Sequence, residues 1–479
     1  MNKSKPTTCS RTPKNYKNFS SNISTISKFE TVGSIPISII GHEECKAELI
    51  RTADTISLHV EGAYYNSEKE CTIILEGKKF AVKTSDVITN SFNVDVETGL
   101  SQSHNFGIKT IEDIIFASIS SAKYRCFFPT KLDNIKSFCF ILDTTHYESD
   151  TARYAFDCVR IKIGATTYDI VQVKENNAGY YVIENLEDDT YDSFKENCFA
   201  IQQSLGFLTG YMPGGSLYIF ANDRLHYSLF VRPSLKSFYN PVNTNAYSNL
   251  YDNKKAAEIY QGKLTKIPTQ VFSNLVNLVK EDDALSMAVI LLMEAASAKS
   301  LLLIPSVFAV IIESFAKSNS APEKGKSYPM NDTCISKKVI NDLIRVIDSN
   351  KGILSEDGAL KLKQRILNIN NPVIKERLTN IDKLTLPFKQ LGIKLSIEDI
   401  TVIEHRNDLL HGNISLENGE SRTGKMINSY MMYTMDRLYT LISKLLLKLA
   451  GYEGYIINHS KWSEQSAAIN TSEDYYVKI

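Results

Sequence analysis

"PTQVFSNLVNLVKEDDALSMAVILLMEAASAKSLLLIPSVFAVIIESFAKS", residues 268–318, decides between a membrane protein and a globular one. Its apolar positions recur at helical spacing and run almost unbroken from Ala288 to Phe315. A spanning helix needs about 20 consecutive apolar residues. Here Glu294, Lys299, Pro305 and Glu313 interrupt the run, and a proline in mid-helix would break the hydrogen-bond ladder. Two buried helices around a bend are therefore expected, in a soluble, cytoplasmic chain with no membrane partner.

Upstream the pattern is different. From Phe29 to Phe238, "SIPISIIG", "TISLHVEG", "CTIILEGKKFAV", "DCVRIKIG", "YDIVQVKE", "GYYVIENL" and "GSLYIFAN" are short runs rich in Ile, Val, Tyr and Thr, separated by Gly, Asn and Asp turns. They predict a mainly antiparallel β domain, sandwich-like or curled, whose topology stays open. Within it "SFKENCFAIQQSLGFLTG", residues 193–210, suits a helix stopped by Gly210. The loop "KSFYNPVNTNAYSNLYDNKK" marks the change to helical spacing, and downstream helices are expected near 332–348, 355–368, 372–383, 396–411 and 422–450.

The fold class that follows is α+β and multidomain, with an N-terminal mainly antiparallel β domain before a C-terminal all-α bundle of about five to seven helices. The expected boundaries are a flexible arm at 1–28, a β-rich sensor or regulatory domain at 29–240, a linker at 241–262, the bundle at 263–455 and a tail at 456–479. The 54 basic residues balance 54 acidic ones, so no whole-chain charge argument points to nucleic acid, although a local basic cleft is compatible with that balance. Eight dispersed cysteines with no CxxC pair suggest free thiols rather than a zinc ribbon or a disulfide framework.

Chemistry concentrates at "IEHRNDLLHGN", residues 403–413. In a helix ending at His411, Arg406 and His411 lie about 140° apart around the axis and can border one cleft, while Asn407 lies four residues before His411 on nearly the same face. An imidazole can exchange a proton with a ribose 2′-hydroxyl or a departing 5′-oxygen, and a guanidinium can hold the scissile phosphate. That set suits RNA cleavage without a metal or other cofactor. One such histidine per chain is few for both acid and base roles, and two chains about a twofold axis would supply two. The alternative is a histidine beside Gly412 that simply caps a helix.

"RNDLLH", residues 406–411, matches the R-x4-6-H motif of HEPN domains, with Asn407 as the polar residue after the arginine. The order of a strand-rich domain before a helical one further resembles ApeA-type bacterial anti-phage proteins. The resemblance implies a HEPN-like bundle and a metal-independent endoribonuclease, with Arg406, Asn407 and His411 in a composite active site across a homodimer. It also implies 2′-hydroxyl attack leaving a 2′,3′-cyclic phosphate, growth arrest during infection, a phage-derived activator, and RNA substrates among which tRNA is a candidate. The competing reading is a non-catalytic HEPN-like module that binds RNA, nucleotide or protein.

Supporting roles are open for Glu313, a carboxylate within "VFAVIIESFAKS", and for His405; a surface position is the alternative for each. On the last long helix, Arg422, Lys425 and Arg437 could line an RNA cleft or a solvated face, and Tyr430 could stack on a base or sit in an interface. No metal is assigned to His42, His59, His104, His146 or His226, which are scattered without recognised ligand spacing. Trp462 is expected to pin the tail onto the bundle.

Overall fold

The computed structural model describes residues 15–52, 55–62, 69–95, 99–135, 137–150, 155–175, 177–229, 234–244, 262–298, 300–318, 326–327, 329–330, 332–350, 352–371, 373–374, 379–405 and 424–479. It has an N-terminal β domain and a mostly helical C-terminal region, an α+β architecture. The chain divides into two compact units, one of Met1–Ile311 with His405–Ile479 and one of Ile312–Glu404. The C-terminal helix therefore belongs to the same unit as the sheet.

Fourteen strands form one sheet, antiparallel except where Asn15–Lys17 runs parallel to Thr145–Ser149. Its second half closes on itself. Gly99–Asp113, Ile56–Glu61, Lys46–Arg51, Gly33–Ile39, Glu70–Leu75 and Lys78–Asp95 pair in that order, and Lys78–Asp95 pairs again with Gly99–Asp113. Closure removes the open edges that a flat sheet would leave. Tight turns set the register: Ser216–Ala221 and Arg224–Leu229 are joined by Asn222 and Asp223 at φ 48° and 63°, the left-handed pair of a two-residue hairpin.

The core inside this sheet is built from alternating strand positions such as Leu58, Val60, Ile73, Val82 and Ile111. Residues 15–28, inside the segment expected as an arm, contribute to it directly. Phe19, Ile23, Ile26 and Phe29 on or beside the helix Ser20–Glu30 are all buried there. The helix Tyr191–Thr209 forms as its sequence suggests, capped by Thr190 and stopped at Gly210 with φ 73°. Two carbonyls also demand glycine at that position, since a Cβ would meet Tyr239 O at 2.8 Å and Ser237 O at 2.9 Å.

The stretch at 268–318 becomes three helices, Thr269–Glu281, Asp283–Ala298 and Leu303–Ser318. Pro305 sits in the first turn of the last, where its missing N–H costs nothing. Among the described residues no helix is long and apolar enough to cross a membrane. The first two of these helices pack on the β domain; Ser273 Oγ donates to Lys162 O at 2.5 Å and accepts from Lys162 N at 3.1 Å.

In the second unit, Thr333–Ser349 and Glu356–Leu367 match their expected spans and are joined by a 2.6 Å Lys363–Asp348 pair. The helix expected at 372–383 instead runs Asn380–Gln390. Thr379 and Asp382 form a reciprocal capping box that fixes its start, and Val373–Ile374 pairs with Lys326–Ser327. Ile397–Glu404 follows; the remainder of the helix expected to 411 lies outside the described residues.

Candidate functional site

Arg406, Asn407, His411 and Arg422 lie outside the described residues; His405 before them and the helix from Gly424 after them do not. His405, the residue before Arg406, places Nδ1 3.3 Å from Tyr430 Oη. Tyr430 is half-buried near the start of the helix Gly424–Leu449, and its ring centroid lies 6.5 Å from that of Tyr433. Lys425 is exposed in the first turn of the same helix. Glu313 is half-buried in the part of its helix that belongs to the second unit.

Arg437 is not a surface cation. It is 1% exposed, and its guanidinium donates to Tyr433 Oη at 2.9 Å and to Glu473 Oε1 at 2.5 Å. The helical period explains this: Tyr430, Tyr433 and Arg437 follow one face, which the C-terminal tail covers. Burial pushes the Glu473 carboxyl up, but the bond and charge of Arg437, with Asn458, bring it below its ordinary value. Arg437 thus neutralises the tail and offers no group to RNA.

A second polar cluster, centred on the residue before Arg437, has no counterpart among the expectations from the sequence. Asp436 is buried and accepts a 2.6 Å hydrogen bond from Tyr239 Oη. Burial pushes its carboxyl up to about 6, although bonds from Tyr239 and Ser463 oppose the rise. Tyr239 stacks on Tyr439 at 4.3 Å and 14°, and His459 meets both rings edge-on. His459 Nε2 donates to Asn240 O at 2.8 Å, and burial pulls its imidazole down to about 4, against that hydrogen bond. A buried histidine and a buried acid packed among tyrosines join three chain segments. The signal for Asp436 was legible, since it is the lone acid in an otherwise basic and apolar helix.

Trp462 does not pin the tail. It is 64% exposed and touches Tyr475 at 4.6 Å. The tail is held by Tyr455–Ile457 pairing with Tyr476–Lys478, by buried Ser460 and Ser463, and by Glu464, which takes Lys461 Nζ at 2.7 Å and the Thr471 hydroxyl.

On the β domain, a cavity of about 310 Å³ is lined by Asn22, Lys123, Arg125, Glu184, Asn222 and Asp223, among others. Arg125 and Glu184 among them are already engaged. Arg125 Nε donates to Glu184 Oε2 at 2.8 Å, and buried Lys17 bridges Glu184 and Asp169, the latter at 2.8 Å and also held by Arg160 at 2.7 Å. Burial opposes the Asp169 charge, but Arg160 and Lys17 hold its carboxyl below the usual range. The same two acids raise the Lys17 ammonium despite its burial. The network fixes the first strand on the sheet.

Among the described residues one group of metal-donor side chains converges, His42, Glu44 and Cys45. No family model, curated protein or solved structure matches the chain.

Proposed function

We propose that the helical C-terminal region is HEPN-like and acts as a metal-independent endoribonuclease in bacterial anti-phage defence. The observation that carries the reading is the segment Arg406–Asn407–x–x–x–His411, which supplies a phosphate-binding cation, an orienting amide and a titratable imidazole within six residues. It is supported by the 3.3 Å contact of His405 with Tyr430, which holds the residue entering the motif beside the long C-terminal helix. Exposed Lys425 on the first turn of that helix adds a cation for an RNA backbone.

In the mechanism, Arg406 binds the scissile phosphate and stabilises charge on its oxygens. His411 moves a proton at the 2′-hydroxyl or the 5′-oxygen, and Asn407 orients it. The 2′-oxygen displaces the 5′-oxygen, giving a 2′,3′-cyclic phosphate and a 5′-hydroxyl, so DNA is spared. Two chains in a homodimer supply two histidines, one for each proton transfer. The substrate is host or phage RNA, with tRNA the first to examine, and a phage-derived activator releases the activity to arrest growth.

Purified protein and its His411→Ala variant, with folding checked, are incubated with total bacterial RNA in chelator, with and without phage-infected extract. Cyclic-phosphate ends made by the wild type alone are expected. Equal cleavage by the variant, or silence of both proteins in infected extract, overturns the nuclease and favours a non-catalytic module that binds RNA, nucleotide or protein.

A further inference from the structure

The turn that joins Gly33–Ile39 to Lys46–Arg51 gathers three donor atoms of different chemistry. His42 N donates to Ile39 O and Cys45 N to His42 O, each at 3.1 Å, so the chain winds through two successive tight turns. Gly41, at φ 83°, makes the first of these possible, and its N–H is held by the Glu43 carboxylate at 3.1 Å. The result places His42 Nδ1 3.7 Å from Glu44 Oε1 and Cys45 Sγ 3.9 Å from the same oxygen. Imidazole nitrogen, carboxylate oxygen and sulfur all lie within 4.8 Å of one another. Across the sheet stands Gly62, where a Cβ would come within 3.2 Å of Cys45 Sγ, so the glycine keeps the sulfur uncrowded.

We propose that His42, Glu44 and Cys45 bind one divalent cation of the zinc class. Bond lengths of about 2.0–2.3 Å to nitrogen, oxygen and sulfur give a tetrahedron whose edges are about 3.3–3.6 Å. Two of the three edges here need to close by only a few tenths of an ångström. A thiolate and an imidazole select zinc or a similar borderline metal over magnesium or calcium, which prefer all-oxygen sites. The fourth position takes water. On binding, the sulfur–metal bond forms as the thiol proton leaves to solvent, and the two anionic donors then neutralise the dication. The ion clips the turn between two strands of the closed ring.

The test uses tag-free full-length protein, stripped with chelator and kept reduced by a phosphine. Cobalt(II) is titrated while the thiolate-to-metal band in the near ultraviolet is followed, and zinc then displaces it in competition with a chromophoric chelator. One equivalent with a thiolate band is expected, the band vanishing in Cys45→Ser. His42→Ala and Glu44→Gln should each weaken binding at least about tenfold without moving the thermal midpoint of the metal-free protein. No saturable uptake overturns the proposal. So does a one-equivalent site indifferent to His42→Ala, or a thiolate band that survives in Cys45→Ser, which would place the metal on another cysteine such as exposed Cys334.

Discussion

Replacing Asp436 by Asn should make the protein more stable above neutrality and leave it unchanged below the ordinary carboxylate range. The buried carboxyl titrates at about 6 in the fold, against an ordinary value of 3.8. Between those values the native state keeps a proton that the unfolded chain has lost, so stability falls as pH rises through the window. The favourable contribution is full below about pH 4 and gone above about 6. A shift of roughly 2 units corresponds to about 3 kcal/mol. Asn is neutral throughout, and its carbonyl still accepts from Tyr239 Oη, now 2.6 Å from Asp436 Oδ1. The variant should therefore gain on the order of 1–3 kcal/mol over wild type at about pH 8 and nothing near about pH 3. His459 and Glu473 titrate in both proteins and cancel in the difference. Urea unfolding at the two pH values checks this, followed by the fluorescence of Trp462, the sole tryptophan, which lies beside Ser463 on the covering tail. A variant less stable than wild type at pH 8, or a difference that does not change with pH, would refute the reasoning.

His459→Gln should flatten the acid limb of stability. The imidazole titrates at about 4 in the fold, so its contribution is full above pH 6.5 and lost as pH falls through 4, about 3 kcal/mol in all; unchanged slopes in acid unfolding would count against it. Arg437→Met should destabilise by roughly 3 kcal/mol because Glu473 loses its partner, and Glu473→Gln on top should recover most of the loss in thermal melts. If the double variant is no better than the single one, the pair is not what the tail rests on. Tyr430→Phe should lower RNA cleavage about fivefold with an unchanged melting point, the worth of one hydrogen bond of about 1 kcal/mol to His405; an activity equal to wild type would show that this contact does not position the motif.

The order of strands before helices was legible because it rests on local rules, a period of two up to Phe238 and of about 3.6 after Pro268. Gly210 and Pro305 mark their helix ends for reasons visible in one residue each. The closed ring of strands was not legible, because it depends on Lys78–Asp95 returning to pair with Gly99–Asp113 while both also pair elsewhere, a choice that no periodicity encodes. The helix near 380 was displaced for a simpler reason: Thr379 and Asp382 signal a start that apolar spacing alone had put eight residues too early. Charge alone carries no phase and so does not place Arg437. It shares a face with Tyr433, and the partner that neutralises it, Glu473, comes from the tail 36 residues on.

The C-terminal helix lies wholly in the first unit, and its side chains are buried to different degrees along its length. Its later turns are rooted in the first unit: Asp436 holds Tyr239, Asn274 Nδ2 donates to Ala450 O at 3.0 Å, and Ile457 N donates to Pro241 O at 2.9 Å. From Tyr433 to Leu447 nearly every side chain is buried. In its first turn Lys425 and Met426 are exposed, and further along half-buried Tyr430 reaches His405. The Tyr239–Asp436 and Tyr430–His405 contacts lie on one helix within one unit, and a coupling between them is the expectation that Asp436 variants test. Variants at Asp436 then acquire a second readout: a change in RNA cleavage by Asp436→Asn at a pH where its stability equals wild type would reveal that coupling, and cleavage that follows stability alone would exclude it.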